Sequence, residues 1–318
     1  MTDSHTVSLK ARLQARLIHG LWNALARWRP HTLWRLSRCL EPLYRTLAPR
    51  ERRVTRVNLK AAYPDMDKAT HRRLTRDSLT HSIATIMELG FAWIGEAGKV
   101  ETAIHAVHGR ELLDDARASG RGVIVLAPHF GNWEVLNFWL SSHFPFTAMY
   151  EPPKIAPLDP VIRTGRERKG AALVPTNSRG VAALLKALKR CEAVGILPDQ
   201  VPSWGSGVFA DFFGRPAYTA TLLPKLVART DARVVVGVAC RKTDTTGGFE
   251  IHFLRADERV YDPDETVSAA GVNACVEAAI ALDPAQYQWE YKRFRRTPGQ
   301  QENAPGWQKQ RLYGDKHR

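Results

Sequence analysis

The run Gly122-Val123-Ile124-Val125-Leu126-Ala127, closed by Pro128, constrains this chain more than any other stretch. It is apolar, β-branched and short, so it reads as a buried strand. Further strands fit Phe146 to Tyr150, Ala171 to Val174, Ala193 to Leu197 and Arg233 to Arg241, with Gly248 to Leu254 as a hairpin partner of the last. Between and around them, helical patterns run over 133–142, 178–190, 219–229, 267–282 and 284–295. Strands alternating with helices imply an α/β fold: a largely parallel central sheet flanked by helices. Ahead of it, residues 52–93 read as two helices separated by a turn at Tyr63-Pro64-Asp65.

The first 60 residues are helical in pattern and strongly basic, Lys and Arg far outnumbering Asp3, Glu41 and Glu51. Leu17, Ile18, Leu21, Trp22, Leu25, Trp28, Leu33 and Trp34 interleave with the charges, and Pro30 divides the stretch into two helices. Apolar residues at helical spacing beside Arg, with Trp at the boundary, describe a helix lying in a membrane interface. The same pattern fits a helix packed on its own domain with a solvated basic face. Residues 1–50 are thus an amphipathic N-terminal segment, 51–298 the main domain and 299–318 a polar, frayed tail. No secretory signal or membrane span is evident, since a span needs roughly 20 apolar residues. Cys39, Cys191, Cys240 and Cys275 form no CxxC pair, which points to a reducing compartment. The formal net charge of +14 favours an anionic partner: nucleic acid, acidic membrane or acidic carrier protein.

Chemistry concentrates in Ala127-Pro128-His129-Phe130-Gly131-Asn132-Trp133-Glu134. His129 stands at the C-terminal edge of a buried strand, where open α/β sheets gather functional groups. Glu134 falls in the first turn of the next helix, from which it can fold back toward the imidazole. A carboxylate on one ring nitrogen fixes the tautomer and leaves the other free to take a proton. Backbone N–H groups from Gly131 to Trp133 are candidate oxyanion donors. A capping histidine with a glutamate favouring the helix N-terminus would look the same in sequence.

Beyond this motif the chain resembles the bacterial lipid A biosynthesis acyltransferases of the lauroyl/myristoyl type, within the lysophospholipid acyltransferase-like superfamily. The likeness runs from about residue 50 to 298, in family order. It includes Arg53-Val54-x2-Val57-Asn58-Leu59-x2-Ala62-Tyr63-Pro64, the glutamate of Ile86-Met87-Glu88, and the core His129 to Glu134. Tyr150-x-Pro152-x-Lys154, Arg166-Glu167-Arg168-x-Gly170 and Pro198-Asp199-Gln200 follow. Gly207-Val208-Phe209-x3-Phe213-Gly214-Arg215-Pro216-Ala217-x-Thr219 and Pro284-x2-Tyr287-x-Trp289-x3-Arg293-Phe294 complete it.

The resemblance implies transfer of a fatty acyl chain from acyl-carrier protein to a hydroxyl of a lipid A precursor, at the cytoplasmic face of the cell inner membrane, with no cofactor and no metal. It makes His129 the general base and Glu134 its partner. Direct transfer requires no enzyme nucleophile, and neither a Gly-x-Ser-x-Gly elbow nor a cysteine motif is present. Arg166 and Arg168, two positions apart, would point the same way on extended chain; Arg166 is expected foremost on a phosphate or the reacting carbonyl oxygen. Asn132, Asp199 and Arg293 complete the expected substrate-binding set, Asp199 orienting Arg166 or a substrate sugar, or capping the next turn. Thr219 reads as a helix cap. Family members often carry an N-terminal transmembrane anchor, whereas the segment here is short and charged.

Two rivals remain. Nucleic-acid binding fits the charge, but no helix-turn-helix, zinc-finger, RRM or KH signature occurs. A metal-dependent hydrolase would use His129 and Glu134 as ligands, but HExxH is absent and His105 and His108 have no carboxylate motif to complete a site. Other glycolipids or lysophospholipids are alternative acceptors.

Overall fold

A computed structural model describes residues 8–299 and 311–313. Four helices open the chain: α1 (Leu9–Leu25), α2 (Pro30–Leu47), α3 (Pro49–Ala62) and α4 (Lys68–Trp93). Pro30 and Pro49 each sit in a helix's first turn, where the missing N–H costs nothing. Asp67 caps α4, accepting from the N–H groups of Ala69 and Thr70.

There follow α5 (Ala97–Thr102), β1 (Ile104–His108), α6 (Arg110–Ala118), β2 (Val123–Leu126), α7 (Trp133–His143), β3 (Phe146–Tyr150), α8 (Asp159–Glu167), β4 (Ala172–Pro175), α9 (Ser178–Lys189) and β5 (Ala193–Ile196). The chain continues through β6 (Gly207–Phe212), β7 (Arg215–Ala220), α10 (Leu222–Thr230), β8 (Arg233–Arg241), β9 (Phe249–Arg255) and α11 (Glu265–Leu282).

Seven strands form one sheet in the order β1-β9-β8-β2-β5-β3-β4. All pairings are parallel except the β8–β9 hairpin. All four residues of β2 are buried, as a strand covered on both faces must be. One core cluster, with Phe91, Leu136, Trp139 and Phe253, covers one face; the other face carries Leu59, Leu184, Leu226, Val276 and Trp289. β6 and β7 make a separate antiparallel hairpin that packs on α11.

α11 is long and apolar enough to cross a membrane by length and composition. It instead buries Val272, Cys275, Val276, Ala279 and Ile280 against the domain.

Three sequence expectations need correction. Helix α10 begins at Leu222, and Thr219 lies in β7, its hydroxyl donating to Ala217 O rather than capping a helix. Past a 3-10 turn at Pro284–Gln286, the expected terminal helix is irregular chain. The carbonyls of Trp289 and Tyr291, which a helix would have consumed, both accept from Asn58 Nδ2 at 2.7 Å. Within the expected frayed tail, Tyr313 is buried and its hydroxyl donates to Asn58 Oδ1 at 2.6 Å. The rest of that tail, residues 300–310 and 314–318, and residues 1–7 lie outside the described residues.

α1 packs on α4 through Ala15, Trp22 and Leu25, with Trp22 meeting Trp93 edge-on at 5.1 Å. Its outward face is not purely basic: Leu9, Leu13, Leu17 and Leu21 stand 72%, 50%, 76% and 57% exposed. Four-residue spacing places them in one stripe.

Candidate active site

β2 and β5 are neighbours, with Leu126 opposite Ile196. His129 and Asp199 each lie three residues past those paired positions, so two adjacent strand ends deliver them to the same level. The Asp199 carboxylate accepts from His129 twice: Oδ1 lies 2.8 Å from Nδ1 and Oδ2 takes the backbone N–H at 3.0 Å. That arrangement sets the tautomer with the proton on Nδ1. Nε2 is then an acceptor, and it faces the Gln200 side-chain nitrogen at 3.2 Å. Burial alone would raise the Asp199 pKa, but the charge and hydrogen bonds of His129 outweigh it and hold the group below the ordinary carboxylate range. Tyr287, buried beside Asp199, also bonds it, and its own pKa is pushed well above the usual phenol value by burial and by that carboxylate.

Glu134 does not reach the imidazole. It is buried at the start of α7, where Oε2 accepts from Trp93 Nε1 at 2.8 Å and from Arg166 Nε at 2.9 Å, while Arg166 Nη2 bonds Oε1. The first turn of α7 aims it at α4 and α8 rather than back along the strand. Arg166 therefore pairs with Glu134 and not, as expected, with Asp199. Burial disfavours the Arg166 charge, yet Glu134 more than offsets this and raises its pKa. The guanidinium also lies 5.3 Å from the Tyr150 ring centroid and borders the cavity beside His129.

The remaining expected residues divide. Arg168 lies just past the end of α8, not on extended chain, and diverges from Arg166: its guanidinium donates to Gly95 O and lies over Phe138. Arg293 is buried, donating to Tyr218 O, Thr219 Oγ1 and Asn273 Oδ1. Asn132 is fully buried as the cap of α7, its Oδ1 accepting from Glu134 and Val135 N–H at 3.1 Å. These three side chains are thus engaged in holding the fold. Of the backbone donors, Gly131 N–H is spent on Gln286 O and Asn132 N–H on Ala239 O. The Trp133 N–H and Arg166 are left as candidates to face an oxyanion.

Gly131 fixes this turn, and the ion pair beneath it was not legible in the sequence. Gly131 has φ +56°, and a Cβ there would come within 2.0 Å of Ala239 O. Beneath it, Arg241 grips Glu88 with two 2.6 Å bonds, Nε to Oε1 and Nη2 to Oε2. Glu88 Oε2 also accepts from Asn132 Nδ2 at 3.0 Å, and Arg241 Nη1 donates to His81 Nδ1 at 2.8 Å. A charged residue ending the apolar β8 was the available signal; which carboxylate it meets was not readable.

His81 must be neutral to accept from Arg241, and burial together with that guanidinium lowers its pKa well below the usual imidazole value. The unfolded chain therefore takes up a proton near pH 6.5 that the folded protein refuses until far lower. Stability should fall as pH drops below about 6.5, by up to about 1.4 kcal/mol per pH unit from this group. Chemical denaturation across that range should show a shallower slope in His81→Asn; an unchanged slope would remove His81 from the account.

His129 opens onto a cavity of 360 Å³, with Leu136, Leu140, Phe146, Leu173 and Leu223 among its apolar walls and His129, Glu134, Arg166 and Gln200 among its polar groups.

Comparison with known proteins identifies the family. The family model described as bacterial lipid A biosynthesis acyltransferase matches residues 8–296. The chain is 26% identical to the lipid A biosynthesis palmitoleoyltransferase of Escherichia coli over 80% of its length and 82% of that protein's. It is 24% identical to the lipid A biosynthesis lauroyltransferase of the same organism, covering 84% and 86%. A phosphatidylinositol mannoside acyltransferase of Mycobacterium tuberculosis is 30% identical over 41% of this chain and 42% of its own. With nearly all of its described length matched by that one model, the chain belongs to the bacterial lipid A biosynthesis acyltransferase family.

Proposed function

We propose that this protein moves a fatty acyl chain from acyl-carrier protein to a hydroxyl of a lipid A precursor, with His129 as general base. The observation that carries the proposal is an imidazole whose Nδ1 is held by buried Asp199 and whose Nε2 faces the polar groups of an apolar cavity. The cavity receives the acyl chain. The acceptor hydroxyl displaces the Gln200 amide from Nε2, gives up its proton there and attacks the thioester carbonyl. The oxyanion faces Arg166 and the Trp133 N–H; collapse breaks the C–S bond, and the carrier thiolate takes the proton back from the imidazolium. Glu134 acts by fixing Arg166, not by orienting His129.

This division of labour is measurable. In double-mutant cycles on kcat/KM, Glu134→Gln and Arg166→Met should couple by roughly 1–3 kcal/mol, whereas Arg166→Met and Asp199→Asn should be nearly additive. The reverse pattern would restore Glu134 to the imidazole.

The basic surface suits an acidic carrier and an anionic acceptor. The leucine stripe of α1 supports a membrane-associating N-terminal segment, resting on the cytoplasmic face of the inner membrane with Arg12 and Arg16 near anionic headgroups. Changing Leu13, Leu17 and Leu21 together to Gln in the full chain should weaken binding to anionic vesicles at least about tenfold, since each leucine loses most of its burial energy. Undiminished flotation would make α1 purely a packing element.

The partial match to a phosphatidylinositol mannoside acyltransferase favours a second reading, in which the acceptor is another glycolipid or a lysophospholipid. Side-by-side transfer to a tetra-acylated lipid A precursor, a phosphatidylinositol mannoside and a lysophospholipid decides between them. Preference for the lipid A precursor is expected; exclusive use of another acceptor would replace it.

A further inference from the structure

At the sheet edge away from β4, His108 ends β1, and its partner in the parallel ladder is His252 on β9. Glu250, two residues before His252, projects from the same face. The two imidazoles stack with centroids 4.5 Å apart. Glu250 Oε2 lies 3.5 Å from His108 Nε2 and 3.8 Å from His252 Nε2, and one donor atom from each residue falls within 4.8 Å of the others.

The two separations from Glu250 are long for hydrogen bonds but close to the edges of a coordination tetrahedron. A metal bonded at the usual distances to imidazole nitrogen and carboxylate oxygen sets its donors about 3.4 Å apart. The surroundings suit such a role. Lys242 Nζ donates to Glu250 Oε1 at 2.6 Å, which orients the carboxylate with Oε2 toward the imidazoles, as an outer hydrogen bond does for a ligating carboxylate. Cys240 faces Glu250 across the β8–β9 ladder, but burial pushes its pKa up to about 12, so it stays a thiol. His105 is turned to Gly247 O at 2.8 Å.

We propose that His108, Glu250 and His252 bind a zinc-class divalent cation, with water as the fourth ligand, clamping edge strand β1 to β9. Two imidazoles and one carboxylate select Zn²⁺ or Co²⁺ over the all-oxygen cations Mg²⁺ and Ca²⁺. The site stands apart from His129, with β8 between β9 and β2. It also completes around His108 the ligand set that sequence spacing did not reveal.

The test uses the full, tag-free chain, stripped with chelator and titrated at neutral pH with Co²⁺ and then Zn²⁺. One Co²⁺ per chain should bind with visible absorption that Zn²⁺ displaces, and Zn²⁺ should slow amide hydrogen exchange in β1. His108→Ala and His252→Ala should each weaken binding at least about tenfold and abolish the exchange effect. His108→Gln, at the most exposed of the three positions, keeps the strand and removes the imidazole, so it serves if either alanine variant fails to fold. Equal stoichiometry and affinity in wild type and His108→Gln, or no Co²⁺ absorption in wild type, would overturn the proposal.

Discussion

Asp199→Asn should lower acyl transfer by about 10²–10⁴-fold while the protein stays folded. Asn fits the same buried space, and its carbonyl can still accept the His129 backbone N–H that Oδ2 now takes. Its NH2 group is then presented to Nδ1. The imidazole must answer by accepting at Nδ1 and carrying its proton on Nε2, where it cannot remove one from a hydroxyl. The loss should appear in kcat more than in KM for the donor, because the cavity walls are untouched. Comparable kcat in Asp199→Asn and wild type would mean that the carboxylate only caps the loop after β5.

The largest stability effect should come from Glu88→Ala. Glu88 is 0% exposed and its side chain holds the Arg241 guanidinium, itself 1% exposed, in a bidentate pair. Removing the carboxylate strands a buried cation, at a cost of about 3–5 kcal/mol, and leaves Asn132 Nδ2 without its acceptor. For a domain of this size that corresponds to a fall in Tm of roughly 5–8 °C. Because Asn132 and Gly131 set the turn after His129, the residual folded protein should also transfer poorly. Glu88→Gln keeps the shape and one acceptor, so it should lose less. A Glu88→Ala protein that melts within a degree or two of wild type would show that Arg241 finds another partner.

The α/β class and most of the sheet were legible because β2, β5 and β8 are apolar runs ended by Pro, Pro or a charge, and because helical stretches separate them. His129 and Asp199 were both placed at strand ends on that ground. Their pairing was not readable, since it depends on β2 and β5 being neighbours, and strand order leaves no mark in a single sequence. Glu134 was assigned to the imidazole from its place in the first helical turn and from the resemblance; that turn aims it at Trp93 and Arg166 instead. Arg293 and Trp289 were read onto a terminal helix over 284–295, which past Gln286 is irregular chain. Their segment is held by side chains from far along the chain, Asn58 above all. β1 and α6 were missed because the β1 sequence Ile104-His105-Ala106-Val107-His108 is half polar, as an edge strand can be.

In the proposed reaction His129 takes the proton of an acceptor hydroxyl during direct acyl transfer. The most direct test measures transfer of radiolabelled acyl chain from acyl-carrier protein to a tetra-acylated lipid A precursor, by wild type and by folded His129→Ala. Labelled product is expected from the wild type, with a loss of at least about 100-fold in the variant. Equal transfer by the two proteins would contradict it.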